Sequence, residues 1–385
     1  MVIIGGGGHG LATAFYLASE HGVRNIAVIE KGGIGGGNVG RNTTIVRSNY
    51  MLDQTIPFYE ASLKMWEKLS HSLNYNVMFS SRGVLNLAHT PAQIDAFVRR
   101  SNSMLLNGVH AEILDRTAVA RMVPALDVSK NARFPVLGAF YQARGGTARH
   151  DAVAWGYARA ADRLGVDILE NCEVTGFLRE GDRITGVETK RGIIRAGKTA
   201  VAVAGSTSQV MALAGVDGLP IESHVLQAFV TEGLKPVLDT VVTWGAGHLY
   251  ISQSDKGGLV FGGDLDKYNS YAQRGNLPVV EDVAANTLAM FPSFARLRIL
   301  RAWGGLMDMS MDGQPIITKG PLDGLYLNCG WCYEGFKATP ASGFTFAWTI
   351  AKDEPHPLNA PYRLDRFRRG YQLDEKGRGP YPGQH

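Results

Sequence analysis

Residues 2–30 carry the feature that most constrains the fold. A β-branched run, Val2-Ile3-Ile4, leads into Gly5-Gly6-Gly7-Gly8-His9-Gly10. A helical stretch follows, then a second apolar run, Ile26-Ala27-Val28-Ile29, closed by Glu30 and Lys31. Gly5, Gly7 and Gly10 stand in G-x-G-x-x-G spacing, with Glu30 twenty residues beyond Gly10. Glycines alone would be weak; glycines with both flanking elements and the acid form a dinucleotide fingerprint. Gly5 permits the tight turn, Gly7 lets a pyrophosphate approach, and Gly10 lets helix and strand pack closely. The helix start, with Gly8 and His9, offers free N–H groups to phosphates. Glu30 is placed to accept hydrogen bonds from ribose hydroxyls.

The fingerprint admits either NAD(P) or FAD. The residues after Lys31, Gly32-Gly33-Ile34-Gly35-Gly36-Gly37-Asn38, form a second glycine-rich stretch. In a nicotinamide dehydrogenase the second strand usually runs on into ordinary helix. In flavoproteins of the glutathione-reductase type this loop lies along the cofactor, so the sequence leans to FAD, with Lys31, Gly36 and Asn38 among its contacts. The plain alternative is a flexible surface loop.

At 385 residues the chain is long enough for two domains with substantial cores. Its 47 glycines exceed the usual share of about 7% and cluster after strands, which argues for a cofactor cradle. A net charge of +4 without a basic run argues against nucleic acid. No stretch reaches the roughly 20 apolar residues of a membrane span, and the chain opens in a strand without a basic leader. Three cysteines build no disulfide framework. Cytoplasm is the expectation. The opening strand is short against a usual length of about five or six residues, so a segment ahead of Met1 is expected to be missing, with weakened FAD affinity as the consequence.

Periodicity predicts βαβ over 2–30 and helices over 53–71, 91–107, 116–122 and 150–164. Strands are predicted over 83–88, 138–142, 166–169, 171–176, 184–189, 191–195 and 199–204. From 220 to 310 alternating strands read as antiparallel sheet suited to a substrate domain. A buried strand over 324–328, a glycine-rich turn and a helix over 343–351 follow. The expected architecture is α/β: a glutathione-reductase-type, Rossmann-like FAD domain with an antiparallel-sheet substrate domain. Residues 1–80, 140–218 and 305–360 form the discontinuous FAD domain; 81–139 and 219–304 form the substrate domain. The tail, 361–385, reads as extended and able to lie on a partner.

Three further segments are specific together: Arg41-Asn42-Thr43-Thr44-Ile45-Val46-Arg47-Ser48-Asn49-Tyr50, Thr147-Ala148-Arg149-His150-Asp151, and Asn328-Cys329-Gly330-Trp331-Cys332-Tyr333-Glu334-Gly335-Phe336-Lys337-Ala338-Thr339-Pro340. With the glycine loop, they resemble the β subunits of heterotetrameric sarcosine oxidases, within the D-amino-acid-oxidase-like flavoprotein family, over essentially the whole chain. The resemblance implies noncovalent FAD, held by the glycine loops with Arg41, Thr43, Thr44, Val174, Ala204, Gly205, Gly335, Phe336 and Lys337. It implies sarcosine (N-methylglycine) as substrate, with glycine, hydrogen peroxide and either formaldehyde or 5,10-methylenetetrahydrofolate as products. Partners would be alpha, gamma and delta subunits, with tetrahydrofolate bound on a partner.

Arg47 follows the glycine loop where the chain would reach the flavin ring, and a guanidinium there clamps a carboxylate bidentately. Lys337 follows a glycine turn at the other end of the chain. In related monomeric enzymes an Arg and a Lys at matching positions hold the substrate carboxylate. The plain alternative is a surface ion-pair residue at Arg47 and a solvated turn residue at Lys337. His150 on its own reads as a capping or core residue; the resemblance implies that it carries covalent FMN. Val260 stands where monomeric relatives have an oxygen-activating lysine, so electrons are expected to leave FAD through FMN. Tyr250 and Asp264 fall near the substrate in the same comparison, and Thr44 takes the place of another arginine. Glu334 departs from the family's glycine, which puts packing over the flavin in doubt. Cys329 and Cys332 make a weak redox motif; no metal site is expected, because no second Cys/His pair exists. His224 and His248 read as structural. An oxidase of another N-methyl or D-amino acid, or a structural FAD-binding subunit, are the other readings.

Overall fold

The computed structural model describes residues 1–245 and 249–375. The opening βαβ unit forms as its pattern dictates. Val2–Ile4 is buried throughout, and α1 (Gly8–Ser19) follows directly from the glycine turn. Val2–Ile4 lies between Thr199–Val201 and Ala27–Ile29, parallel to both. A six-stranded sheet results, in the order Ile316–Lys319, Leu325–Cys329, Thr199–Val201, Val2–Ile4, Ala27–Ile29, Asp167–Leu169. Its edge pair, Ile316–Lys319 with Leu325–Cys329, is antiparallel. Helices α2 (Ile56–Leu73), α3 (Pro91–Leu106), α4 (Arg116–Met122), α5 (His150–Arg163), α6 (Thr207–Leu213), α7 (Leu277–Met290) and α8 (Gly335–Lys352) complete the set. Leu11, Trp66, Tyr157 and Phe346, from α1, α2, α5 and α8, share one apolar core.

The second sheet has eight strands, in the order Ile299–Ser310, Ile221–Gly233, Gly258–Leu265, Leu249–Gln253, Val241–Trp244, Val84–Ala88, Gly138–Gln142, Glu112–Asp115. It is mixed: Val241–Trp244 runs parallel to Val84–Ala88. Val283 of α7 joins Phe229, Trp244, Phe261 and Phe291 in the core behind it. A three-stranded meander, Val174–Glu180, Arg183–Thr189 and Gly192–Arg195, forms its own sheet and packs Val174, Ile184 and Val187 against Ile4, Ile29 and Val201 of the first.

Three expectations are corrected, and one is extended. Residues 277–290 are helical; Asn276 caps the Val279 N–H and Pro278 sits in the first turn, both start signals that the surrounding strands obscured. The antiparallel sheet expected over 220–310 extends to Ile299–Ser310, a long strand paired along Ile221–Thr231. α8 begins at Gly335, eight residues early; Pro340 removes only the bond to the Phe336 carbonyl, and burial of the helix outweighs that loss. The tail is not extended where it is described: 3₁₀ turns at Pro357–Tyr362 and Leu364–Arg366 fold it onto its own chain. Among the described residues no helix is long and apolar enough to cross a membrane.

Candidate active site

The glycine loop is built for close approach. Gly5 has φ +112°, and a Cβ there would sit 2.3 Å from the Ala202 carbonyl oxygen. A Cβ on Gly10 would sit 2.0 Å from the Gly5 oxygen, whereas one on Gly7 would meet nothing within 4 Å. The loop is thus tight on its protein side and open at Gly7, as a pyrophosphate requires. Glu30 braces it: Oε2 accepts the Gly6 N–H at 2.8 Å and Oε1 the Gly32 N–H at 2.8 Å. A cavity of about 470 Å³ opens beside it, lined by Glu30, Lys31, Gly36, Ser206, Gln209 and Tyr271 among others. Its size and its mix of acid, base and backbone amides fit the adenosine half of a dinucleotide.

Asn38 and Arg41 shape the second glycine loop. Asn38 accepts the Leu306 N–H at 3.0 Å and donates to the Leu306 carbonyl. Arg41 donates to the carbonyls of Gly36 and Gly37, while its own carbonyl accepts Trp303 Nε1–H at 2.8 Å. Ala204 has φ +48°, and Gly205 lies against Leu306. Val174 is buried with Ile29 and Cys172. His9 stacks on Trp331, with centroids 4.3 Å apart and planes at 7°. Its Nδ1 lies 2.8 Å from Ser342 Oγ, and burial drives its pKa down to about 3, so the imidazole is neutral. Gly335 packs against both rings, and Phe336 lies 5.4 Å from the Trp66 ring.

A buried charged cluster forms where the strand Ile45–Val46 and α2, α3 and α8 meet. Arg47 donates to Asn49 Oδ1 at 2.6 Å, and its guanidinium lies 4.9 Å from the centroid of Tyr50. Tyr50 stacks on Tyr59 at 3.6 Å. Tyr59 donates to Glu334 Oε2 at 2.6 Å, which also accepts Gln314 Nε2–H at 3.1 Å. Lys337 belongs to the first turn of α8, not to a solvated turn; it is 5% exposed, and Nζ donates to the Tyr333 carbonyl at 2.7 Å. Burial raises the Glu334 pKa, opposed by Lys337 and then Arg47. One carboxylate therefore senses both predicted cations. Burial opposes the Arg47 charge, yet Tyr50, Glu334, Tyr59 and Glu375 more than offset it, and its pKa is raised.

Tyr59, Gln314, Arg100 and Glu375 escaped sequence reasoning, because none of them belongs to a motif; Tyr50 closes the Arg41–Tyr50 segment but carried no assigned role.

Tyr250 pairs across the sheet with Gly262, where a Cβ would lie 2.4 Å from its hydroxyl. Burial raises its pKa to about 12, partly opposed by a hydrogen bond with Thr43. Thr44 has φ +68°, and its hydroxyl donates to the Thr43 carbonyl. Val260 is half-buried on a strand interior to its sheet, not at an edge. Asp264 accepts the Leu265 N–H. His150 is the first residue of α5 and half-buried. Burial lowers its pKa, with Asp151 raising it and Arg149 lowering it. Cys329 and Cys332 are free, buried thiols whose pKa values burial pushes well up, the reverse of a reactive dithiol. His224 is buried and bonded to Asp266 and Glu222. His248 lies outside the described residues.

The pattern of the FAD dependent oxidoreductase family matches residues 1–348. Sarcosine oxidase subunit beta of Rhizobium meliloti is 64% identical over 100% of this chain and 92% of its own length. The protein of the same name from an Arthrobacter species is 53% identical over 98% of this chain and 93% of its own. Among solved structures, L-proline dehydrogenase from P. horikoshii superposes with a TM-score of 0.90 at 28% identity, covering 97% of this chain and 98% of that one. Glycine oxidase from Geobacillus kaustophilus, at TM-score 0.84 and 21% identity over 95% and 98% of the two chains, shares the fold.

Proposed function

Because the chain belongs to the FAD dependent oxidoreductase family, we propose that this flavoenzyme is the β subunit of a sarcosine oxidase, oxidising N-methylglycine to glycine. The observation that carries the reading is whole-chain likeness to sarcosine oxidase β subunits, with Arg47 and Lys337 set around one buried carboxylate. FAD, when bound, supplies the acceptor for the hydride that leaves the N-methyl carbon. Gly5 through Gly10, Glu30 and the loop braced by Asn38 and Arg41 would hold it.

The chain's own residues do the rest. Arg47 and Lys337 receive the substrate carboxylate, and their placement in a buried region strengthens that contact. Tyr50 and Asn49 fix the guanidinium plane, and Lys337 is fixed by the carbonyl of Tyr333. A substrate so held presents its methyl carbon in one orientation, which is the positional part of catalysis. The amine enters as the free base; the resulting imine takes up water to give glycine and formaldehyde, or its carbon passes to tetrahydrofolate on a partner subunit.

His150 is the proposed attachment point of covalent FMN. Its depressed pKa leaves a neutral ring at a helix start, the form a covalent bond through nitrogen requires. Val260 offers no positive charge to stabilise developing superoxide; an FMN held by His150 would supply the site of oxygen reduction to hydrogen peroxide. Alpha, gamma and delta subunits are the proposed partners, and the cytoplasm the proposed compartment.

The test is intact mass and turnover of the assembled complex. A β chain heavier by one FMN, which loses that mass in His150→Ala, supports the two-flavin reading; unmodified mass overturns it. Turnover of D-proline in preference to N-methylglycine would favour an oxidase of another amino acid. Unchanged turnover in Arg47→Ala would favour a structural subunit.

A further inference from the structure

The His9 side chain has no part in that mechanism, yet it ties the dinucleotide loop to the turn ahead of α8, where its ring lies flat on Trp331. α1 and α8 run side by side in the same direction. A Cβ on Gly8 would sit 3.2 Å from Thr339, and one on Gly343 would sit 2.4 Å from the Ala12 Cβ. Both helix starts therefore lie together, each with unpaired N–H groups and a positive dipole end. A protonated imidazole is unfavourable beside them, in keeping with the neutral ring.

A chain of hydrogen bonds fixes which ring nitrogen carries the proton. The indole N–H of Trp331 can only donate, and it donates to Asn328 Oδ1 at 2.8 Å. That orients the Asn328 amide, whose Nδ2 donates to Ser342 Oγ at 2.8 Å. Ser342 is fully buried. Among the described residues, the acceptor within reach of its hydroxyl proton is His9 Nδ1, at 2.8 Å. A buried hydroxyl proton without an acceptor is costly, so Ser342 donates to Nδ1 and the ring proton resides on Nε2. Nε2 has no hydrogen-bond partner among the described residues. It lies at the start of α8, where a Cβ on Gly335 would be 3.2 Å away, and Gly7 beside His9 in the loop is open.

We infer that His9 is a cofactor-positioning residue: the Trp331–Asn328–Ser342 chain holds it as the Nε2–H tautomer, and Nε2–H donates to the diphosphate of the bound dinucleotide at the paired helix starts. The inference rests on the glycine loop as the FAD site and is independent of which amine is oxidised. An uncharged ring of fixed tautomer adds one directed donor to the backbone N–H groups of the loop.

Calorimetric titration of the FAD-free assembled complex with ADP and with FAD tests this, because ADP carries the diphosphate without the flavin. His9→Phe keeps a ring against Trp331 and removes the donor. His9→Gln removes the ring and puts an amide N–H near the Nε2 position. His9→Phe is expected to raise both dissociation constants about tenfold or more, with His9→Gln lying nearer to wild type. A role confined to stacking gives the reverse order and overturns the inference. So does a His9→Phe protein that binds ADP within about twofold of wild type, or one that loses affinity for FAD and keeps it for ADP. If His9→Phe does not fold, the histidine nitrogen-15 spectrum of the wild-type chain decides. A proton on Nε2 whose resonance moves when ADP is added supports the assignment; a proton on Nδ1, or an unmoved resonance, overturns it. Wild type that binds neither ligand overturns the glycine loop as the FAD site together with His9. Wild type that binds both, with affinity unchanged across the variants, removes His9 alone.

Discussion

Arg47 acts through a planar group, which makes its replacement by lysine far from neutral. Its guanidinium reaches Asn49 and lies over Tyr50 together, and an ammonium cannot reproduce both contacts. A lost charge-assisted bond of about 1.5–3 kcal/mol corresponds to roughly 10- to 100-fold, so Arg47→Lys is expected to raise KM for N-methylglycine by that factor in steady-state assays. Asp308 gives a residue-scale prediction for pH. It is fully buried, accepts the Gly330 N–H at 2.6 Å, and burial raises its pKa to about 6. The folded chain keeps that proton up to about pH 6, whereas an unfolded aspartate loses it near about 3.9. Its contribution to stability is therefore full below that lower value and is lost as pH rises through 6. Asp308→Asn keeps an acceptor without the ionisation. Its melting temperature relative to wild type should climb between about pH 4 and 6.5; a constant difference would contradict the assignment.

At the scale of elements, the returning tail depends on one buried ion pair. Arg366 and Asp312 are almost wholly removed from solvent. Breaking such a pair by removing one partner costs about 3–5 kcal/mol, so Arg366→Met is expected to lower unfolding free energy by that amount in denaturant titrations. The sequence hid this element because a polar, proline-rich stretch looks alike whether it lies on a partner or on its own chain. The opening βαβ unit was legible for the opposite reason: its apolar runs and glycine spacing are local, and Val2–Ile4 pairs in parallel with Ala27–Ile29. α7 is hard to read from sequence because Leu277 and Leu288 are exposed, which blurs its helical period amid strands. α8 starts eight residues before the expected Gly343 because Pro340 falls within its first two turns, where packing of the buried helix carries it.

Across the whole molecule, Arg47 and Lys337 lie 290 residues apart in sequence, and the fold sets both around Glu334. That pairing was visible only through resemblance of their motifs; Tyr59, Gln314, Arg100 and Glu375 had no motif to announce them. His150 stands at the start of α5 rather than within the charged cluster, and the FMN attachment there is a proposal of its own. His150→Ala is expected to leave FAD content unchanged while removing covalent FMN, seen as loss of protein-bound yellow colour after denaturation. The central claim is oxidation of N-methylglycine at the FAD of this chain, and anaerobic mixing of the assembled complex with that substrate tests it most directly. The account predicts bleaching of the flavin absorbance with release of one glycine for each pair of electrons taken up. Flavin that stays oxidised with N-methylglycine, while D-proline or another amino acid bleaches it, would contradict the account.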